Sequence, residues 1–191
     1  MKRFLYITVL LSVFSTVSVA QNQKWNKHYY MMNIGDTREL PAGNYSSSNE
    51  KVATVKNNRI QAVANGDCII HADSDSGRVE FAHVTVGWPV QNPVLPYSWK
   101  MYVPDSEVHN FGGKLYVYGS LDDSKVFCSP YYISLMTGDL KRWESYGASF
   151  SSYDVDVDVP YPGRILWDSD GHYHNGKYFL YGFFEWNPKT E

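Results

Sequence analysis

The sequence predicts an all-β protein, and three observations carry that expectation. Beyond the first twenty residues no stretch shows a helical period; short alternating apolar and polar runs are separated by clusters of Gly, Asn, Asp and Ser. Aromatic residues make up 16% of the chain, with sixteen tyrosines and six tryptophans, residue types that suit a pleated, half-buried surface. One phrase is also written twice: "DSEVHNFGGKLYVYG" starts at Asp105, and "DSDGHYHNGKYFLYG" starts at Asp168, 63 positions later. In each copy an aspartate stands nine positions before the lysine of a Gly-Lys pair, Lys114 or Lys177, and the alternating run that follows ends in Tyr-Gly. A repeat of this length, with a strand in each copy, suggests stacked blade-like units.

Taken in order, residues 1–20 read as a signal peptide. Lys2 and Arg3 precede an apolar run from Phe4 to Phe14, and small residues end at Ser18, Val19 and Ala20, so Gln21 is the expected mature N terminus. The apolar run is shorter than the ~20 residues of a membrane span, and no cysteine follows the cleavage site to take a lipid. The expectation is export, to the periplasm, the cell surface or the medium, with no membrane span in the mature protein.

Residues 21–87 form the first expected domain. Val52 and Thr54 begin a run of alternating strands, with Asn57-Asn58 and Asn65-Gly66 as turns. The strand pattern over residues 48–55 and 60–66, then Ile70, His71 and Ala72, then Val84, Thr85 and Val86, resembles a bacterial immunoglobulin-like domain of group 2. That resemblance implies a β-sandwich serving as a spacer or adhesion unit, with no catalytic residue. A sandwich of this size is only marginally stable alone. It is followed by "GWPVQNPVLPYS", residues 87–98, whose three prolines make 88–97 a stiff linker.

Net charge −3 and a pI near 6.1 argue against a nucleic-acid partner, which leaves a basic footprint. Cys68 and Cys128 fall in separate expected domains and read as buried free thiols rather than a disulfide. Neither cysteine has histidines at zinc-ligand spacing, so no metal and no cofactor is expected. Asp154, Asp156 and Asp158 alternate with valines and share one face of an extended segment. Structural calcium is one reading of them, and a solvated strand edge is the favoured one.

Over residues 98–191 the motifs resemble glycoside hydrolase family 43, a five-bladed β-propeller family. The first carrier is Asp105 shortly before "GGKLYVYGS". Next come Val126, Phe127 and Cys128, Tyr131 or Tyr132, and "DLKRW" at 139–143 leading to Gly147. Last is "LWDSDG" at 166–171 ahead of "NGKYFLY" at 175–181. The resemblance implies about two blades of the propeller and places the family's general base at Asp105. It places the residue that tunes the pKa of the general acid at Asp170, seven positions before Lys177, where the internal repeat alone would choose Asp168. Asp168 occupies a slot where the family usually has alanine, either as a plain turn residue or as an added charge. Gly171 stands where the family usually has valine.

The implied chemistry needs carboxyl groups on both faces of a sugar. In inverting hydrolysis one carboxylate activates water while a protonated acid delivers its proton to the leaving oxygen, the two lying about 6.5–9.5 Å apart. A third carboxylate raises the acid's pKa by like-charge repulsion. The expected substrate is an arabinose- or xylose-containing oligo- or polysaccharide. The family's acid is a glutamate from a later blade, and the sequence runs only ten residues past Tyr181. The expectation is therefore an N-terminal portion of the enzyme, inactive as it stands. Trp167, His109 and His172 are candidate substrate contacts; strand packing is the alternative for the histidines. Trp99, Trp143 and Trp167 suit core and sugar-platform roles alike. The competing functional reading is a non-catalytic carbohydrate-binding or adhesion protein.

Overall fold

The computed structural model describes residues 27–91, 94–122, 130–152 and 165–184. Its elements are strands throughout, apart from one 3-10 turn at Tyr97–Trp99, which bears out the all-β class. No helix among these residues is long and apolar enough to cross a membrane. The chain divides into two compact units, which are described separately.

The first unit contains the described residues up to Lys100 together with 137–147. Its strands are β1 (His28–Met32), β2 (Thr37–Glu39), β3 (Asn44–Ser47), β4 (Ala53–Lys56), β5 (Arg59–Ala62), β6 (Gly66–Ser74) and β7 (Gly77–Val86). One sheet runs β2-β5-β4, and another runs β3-β6-β7-β1, with β1 parallel to β7. Alternation is clean in β5, where Ile60 and Ala62 are buried while Arg59 and Gln61 face water. Residues of both sheets meet in one core that includes Tyr30, Ala53, Ile60, Cys68, Ile70, Val84 and Val86. Cys68 is buried there as a free thiol, its pKa raised first by desolvation; Cys128 and the 154–158 acids lie outside the described residues.

From Ala82 onward β7 is buried on both faces, because the 3-10 turn covers the side turned away from the core. Trp99 packs 5.1 Å from the Tyr29 ring and donates its indole N–H to Thr85 Oγ1 at 2.9 Å. That settles Trp99 as a core residue, 3% exposed. The beginning of β11 (Glu144–Ser151) also belongs to this unit and pairs with β1, Tyr29 opposite Ser145. Arg38 from β2 fastens it. Its guanidinium lies 4.8 Å from the Tyr30 ring and 5.7 Å from the Tyr146 ring, and it pairs with Glu144 at 2.6 Å.

His28 is enclosed by the same cluster, stacked on Phe81 at 4.6 Å with its Nδ1 3.0 Å from the Tyr30 hydroxyl. Burial first, and then the Arg38 charge, pulls its pKa down to about 4. The unfolded chain takes up that proton through the ordinary histidine range, whereas the folded chain refuses it until about pH 4. Stability is therefore complete above that ordinary range and is lost as pH falls towards 4, with a slope of up to about 1.4 kcal/mol per pH unit. Burial lowers His83 in the same direction. Urea titrations between pH 7 and pH 4.5 should show this loss, and His28→Phe, which keeps the stacking, should flatten it; an unchanged slope would refute the account.

The second unit holds the described residues of 101–136 and 148–184. Its strands are β8 (Glu107–Phe111), β9 (Lys114–Ser120), β10 (Tyr131–Thr137), the end of β11, β12 (Leu166–His174) and β13 (Lys177–Phe184). The β8–β9 hairpin turns on Gly112 and Gly113, and the β12–β13 hairpin on Asn175 and Gly176, all four with positive φ. Two-residue turns of that kind match the twist of antiparallel strands, so both copies of the repeated phrase fold as hairpins. Leu121, Tyr132, Ile133, Leu135 and Leu166 are buried in this unit.

Candidate active site

The repeated Tyr-Gly that closes each phrase has a steric reason. A Cβ on Gly119 would lie 2.5 Å from Val103 Cγ1 and 2.9 Å from the Pro104 carbonyl oxygen. The missing side chain lets the segment that carries Asp105 lie flat on β9. Within that segment the Ser106 hydroxyl donates back to the Val103 carbonyl. Asp105 itself is exposed with φ +50°, a left-handed conformation that aspartate and asparagine tolerate better than most residues. Gly119→Ala is expected to cost about 1–3 kcal/mol through overpacking and to shift the Asp105 segment in a crystal structure. A neutral melting temperature with an unmoved segment would contradict that.

Gly182, the second copy's glycine, makes room for a different neighbour. A Cβ there would meet the Tyr132 ring at 2.7 Å. Tyr132 is buried, and its hydroxyl donates to the Trp167 carbonyl while accepting the Phe183 N–H at 3.1 Å. Burial pushes its phenol above the usual range, so it stays protonated and able to donate. Of the two tyrosines that the resemblance left open, Tyr132 reaches β12 through its hydroxyl.

What Tyr132 holds is a β-bulge. Strands β12 and β13 are in register except between Trp167 and Ser169, where Asp168 is the extra residue, with φ +20°. One inserted residue reverses the alternation beyond it. Leu166 points inward and Ser169 and Gly171 follow it, whereas Asp170 comes out on the open side. Without the bulge, positions 166, 168 and 170 would share one face. Asp168 therefore contributes its backbone.

On the open side Asp170 meets the first copy of the phrase. His109 Nε2 lies 2.8 Å from Asp170 Oδ1, with side-chain exposures of 26% and 59%. The Gly171 N–H also approaches Nε2, at 3.4 Å. One ring nitrogen cannot both accept that N–H and donate; with the ring proton on Nε2, the much shorter contact is a donation to Asp170. Phe111 stacks on the His109 ring at 5.5 Å, and Tyr118 packs at 6.4 Å. Gly171 is the residue that admits Tyr118, because a Cβ there would sit 3.2 Å from the tyrosine ring.

The structure thus brings together His109 and Asp170, with Asp105 on the loop leading into the His109 strand. It does not give His172 the equivalent place. His172 is exposed and stacks only loosely on His174, 6.2 Å away. Trp167 is partly buried, with its carbonyl committed to Tyr132. Trp143 is buried in the first unit. Among the described residues no cluster of His, Cys, Asp or Glu is placed to hold a metal ion. Sequence reasoning missed Tyr118 as the cover of Gly171.

Fold and site together define an all-β protein whose second unit displays an imidazole–carboxylate pair, with a further exposed carboxylate, Asp105, on the segment that leads into the His109 strand. No family model matches the chain, and no solved structure matches it. Two curated proteins do. One, named xylosidase/arabinosidase, from Thermoclostridium stercorarium, is 35% identical over 96 residues, covering 47% of this chain and 20% of the relative. The other, with the same name, from Bacteroides ovatus, is 32% identical over 94 residues, covering 42% of this chain and 27% of the relative. These similarities support a relationship to glycoside hydrolases, and the chain spans about a quarter or less of the length of these relatives.

Proposed function

We propose that this chain carries part of the active site of an exported glycoside hydrolase of the family 43 type, acting on arabinose- or xylose-containing glycans with inversion. In this reading the first unit is the immunoglobulin-like module and the hairpins of the second are propeller blades. The observation that carries it is the similarity to two proteins named xylosidase/arabinosidase, taken with acids at the two motif positions. Asp105 is the general base: its carboxylate takes a proton from water as the oxygen attacks the anomeric carbon. The bond to the leaving oxygen breaks as a glutamic acid from a later blade protonates that oxygen. Asp170 orients that acid and holds its proton by like-charge repulsion.

The test is release of nitrophenol from nitrophenyl β-xyloside and α-arabinofuranoside by the protein made from its complete reading frame. Turnover of either supports the reading, and turnover of neither removes it. A second reading, carbohydrate binding without catalysis, is favoured by aromatic side chains on β12 and β13: Tyr173, Tyr178 and Phe183 are 50%, 45% and 48% exposed. Retardation of the protein in arabinoxylan-containing gels, with no release of sugar, would select it.

A further inference from the structure

The two copies of the repeated phrase meet through a polar contact from His109 of the first to Asp170 of the second, at 2.8 Å. We propose that His109 is a positioning residue, whose Nε2–H fixes one oxygen of the Asp170 carboxylate so that the other faces the sugar site. This rests on the hydrolase reading above and goes beyond it, because it takes His109 out of the substrate-contact role and makes it act through Asp170.

Three features of the geometry favour positioning. The Nε2 atom is already held 2.8 Å from Asp170 Oδ1. The ring has little freedom, stacked on Phe111 at an interplanar angle of 5° and flanked by Tyr118. Asp170 is 59% exposed and sits on a strand directly after a bulge, where a lone carboxylate would sample several rotamers. A charge-assisted hydrogen bond from a ring that is itself locked removes that freedom. The glycine at 171 eases the same contact, since a Cβ there would crowd the Tyr118 ring at 3.2 Å.

Misplacing a reacting group by about 1 Å costs on the order of a hundredfold in rate. His109→Phe keeps the stacking and removes the donor. With the protein made from its complete reading frame, this change should lower kcat by roughly ten- to a hundredfold and leave KM nearly unchanged. His109→Gln, whose amide N–H reaches a similar point, should restore most of kcat. A substrate contact would instead raise KM, and a purely structural histidine would show no rescue by glutamine. Melting curves establish that each variant is folded, and His109→Leu replaces the phenylalanine variant if that one does not fold.

Asp170→Asn separates the two levels of the argument. If it leaves kcat intact, the role of Asp170 fails and that of His109 goes with it, while the hydrolase reading stands; if the unsubstituted protein turns over neither glycoside, the hydrolase reading itself fails. If Asp170→Asn is severely impaired while folded His109→Phe keeps its kcat, or shows only a raised KM, the positioning role alone is overturned.

Discussion

Asp105→Asn is expected to lower kcat for xyloside or arabinofuranoside hydrolysis by about a hundred- to ten-thousandfold, the usual contribution of a positioned general base. The melting temperature should barely move. The reason lies in the backbone: Asp105 sits at φ +50°, and asparagine accepts that conformation as readily as aspartate. The side chain is exposed, so its exchange disturbs no packing. Alanine would be a poorer probe, because it would add left-handed strain to the loss of the carboxylate. Near-normal turnover in a folded Asp105→Asn variant would rule out the base assignment.

Deleting Asp168 should be as damaging to turnover as Asp170→Asn, although the proposed chemistry gives the side chain of Asp168 no task. Removing the extra residue restores plain alternation along β12 and swings Asp170 to the side that Leu166, Ser169 and Gly171 now occupy. An aspartate turned inward there loses His109 and the solvent together. Burying a polar group without a partner costs at least about 2 kcal/mol, so thermal stability should fall as well. Asp168→Gly is the control, since glycine keeps the bulge conformation and should retain activity within a few-fold. A neutral deletion, or a glycine variant as impaired as the deletion, would refute the re-phasing role.

Much of the fold was legible because its signals are local. Asn57-Asn58 announces the two-residue turn between β4 and β5, and the apolar alternation of residues such as Ile60 and Ala62 announces a half-buried strand. The bulge was not legible, because a bulge is a relation between β12 and its partner strand and leaves no residue type of its own. The repeat pointed to Asp168, and only the family motif moved the choice to Asp170; the strand pairing supplies the physical reason that the two positions differ. Residues 137–147 fold with the first unit, which depends on long-range contacts from Arg38 and β1 that no local window contains. His109 and His172 were both candidate substrate contacts, yet one copy's histidine meets the other copy's aspartate, so the two have different surroundings.

The most direct measurement of the central claim is the configuration of the first sugar released. Proton NMR in heavy water, begun as soon as the protein made from its complete reading frame meets a β-xyloside, distinguishes the anomers before they equilibrate. Inversion by a base-activated water predicts α-xylose as the first product. Initial release of β-xylose would mean retention through a covalent intermediate and would contradict the assignment of Asp105 as the base.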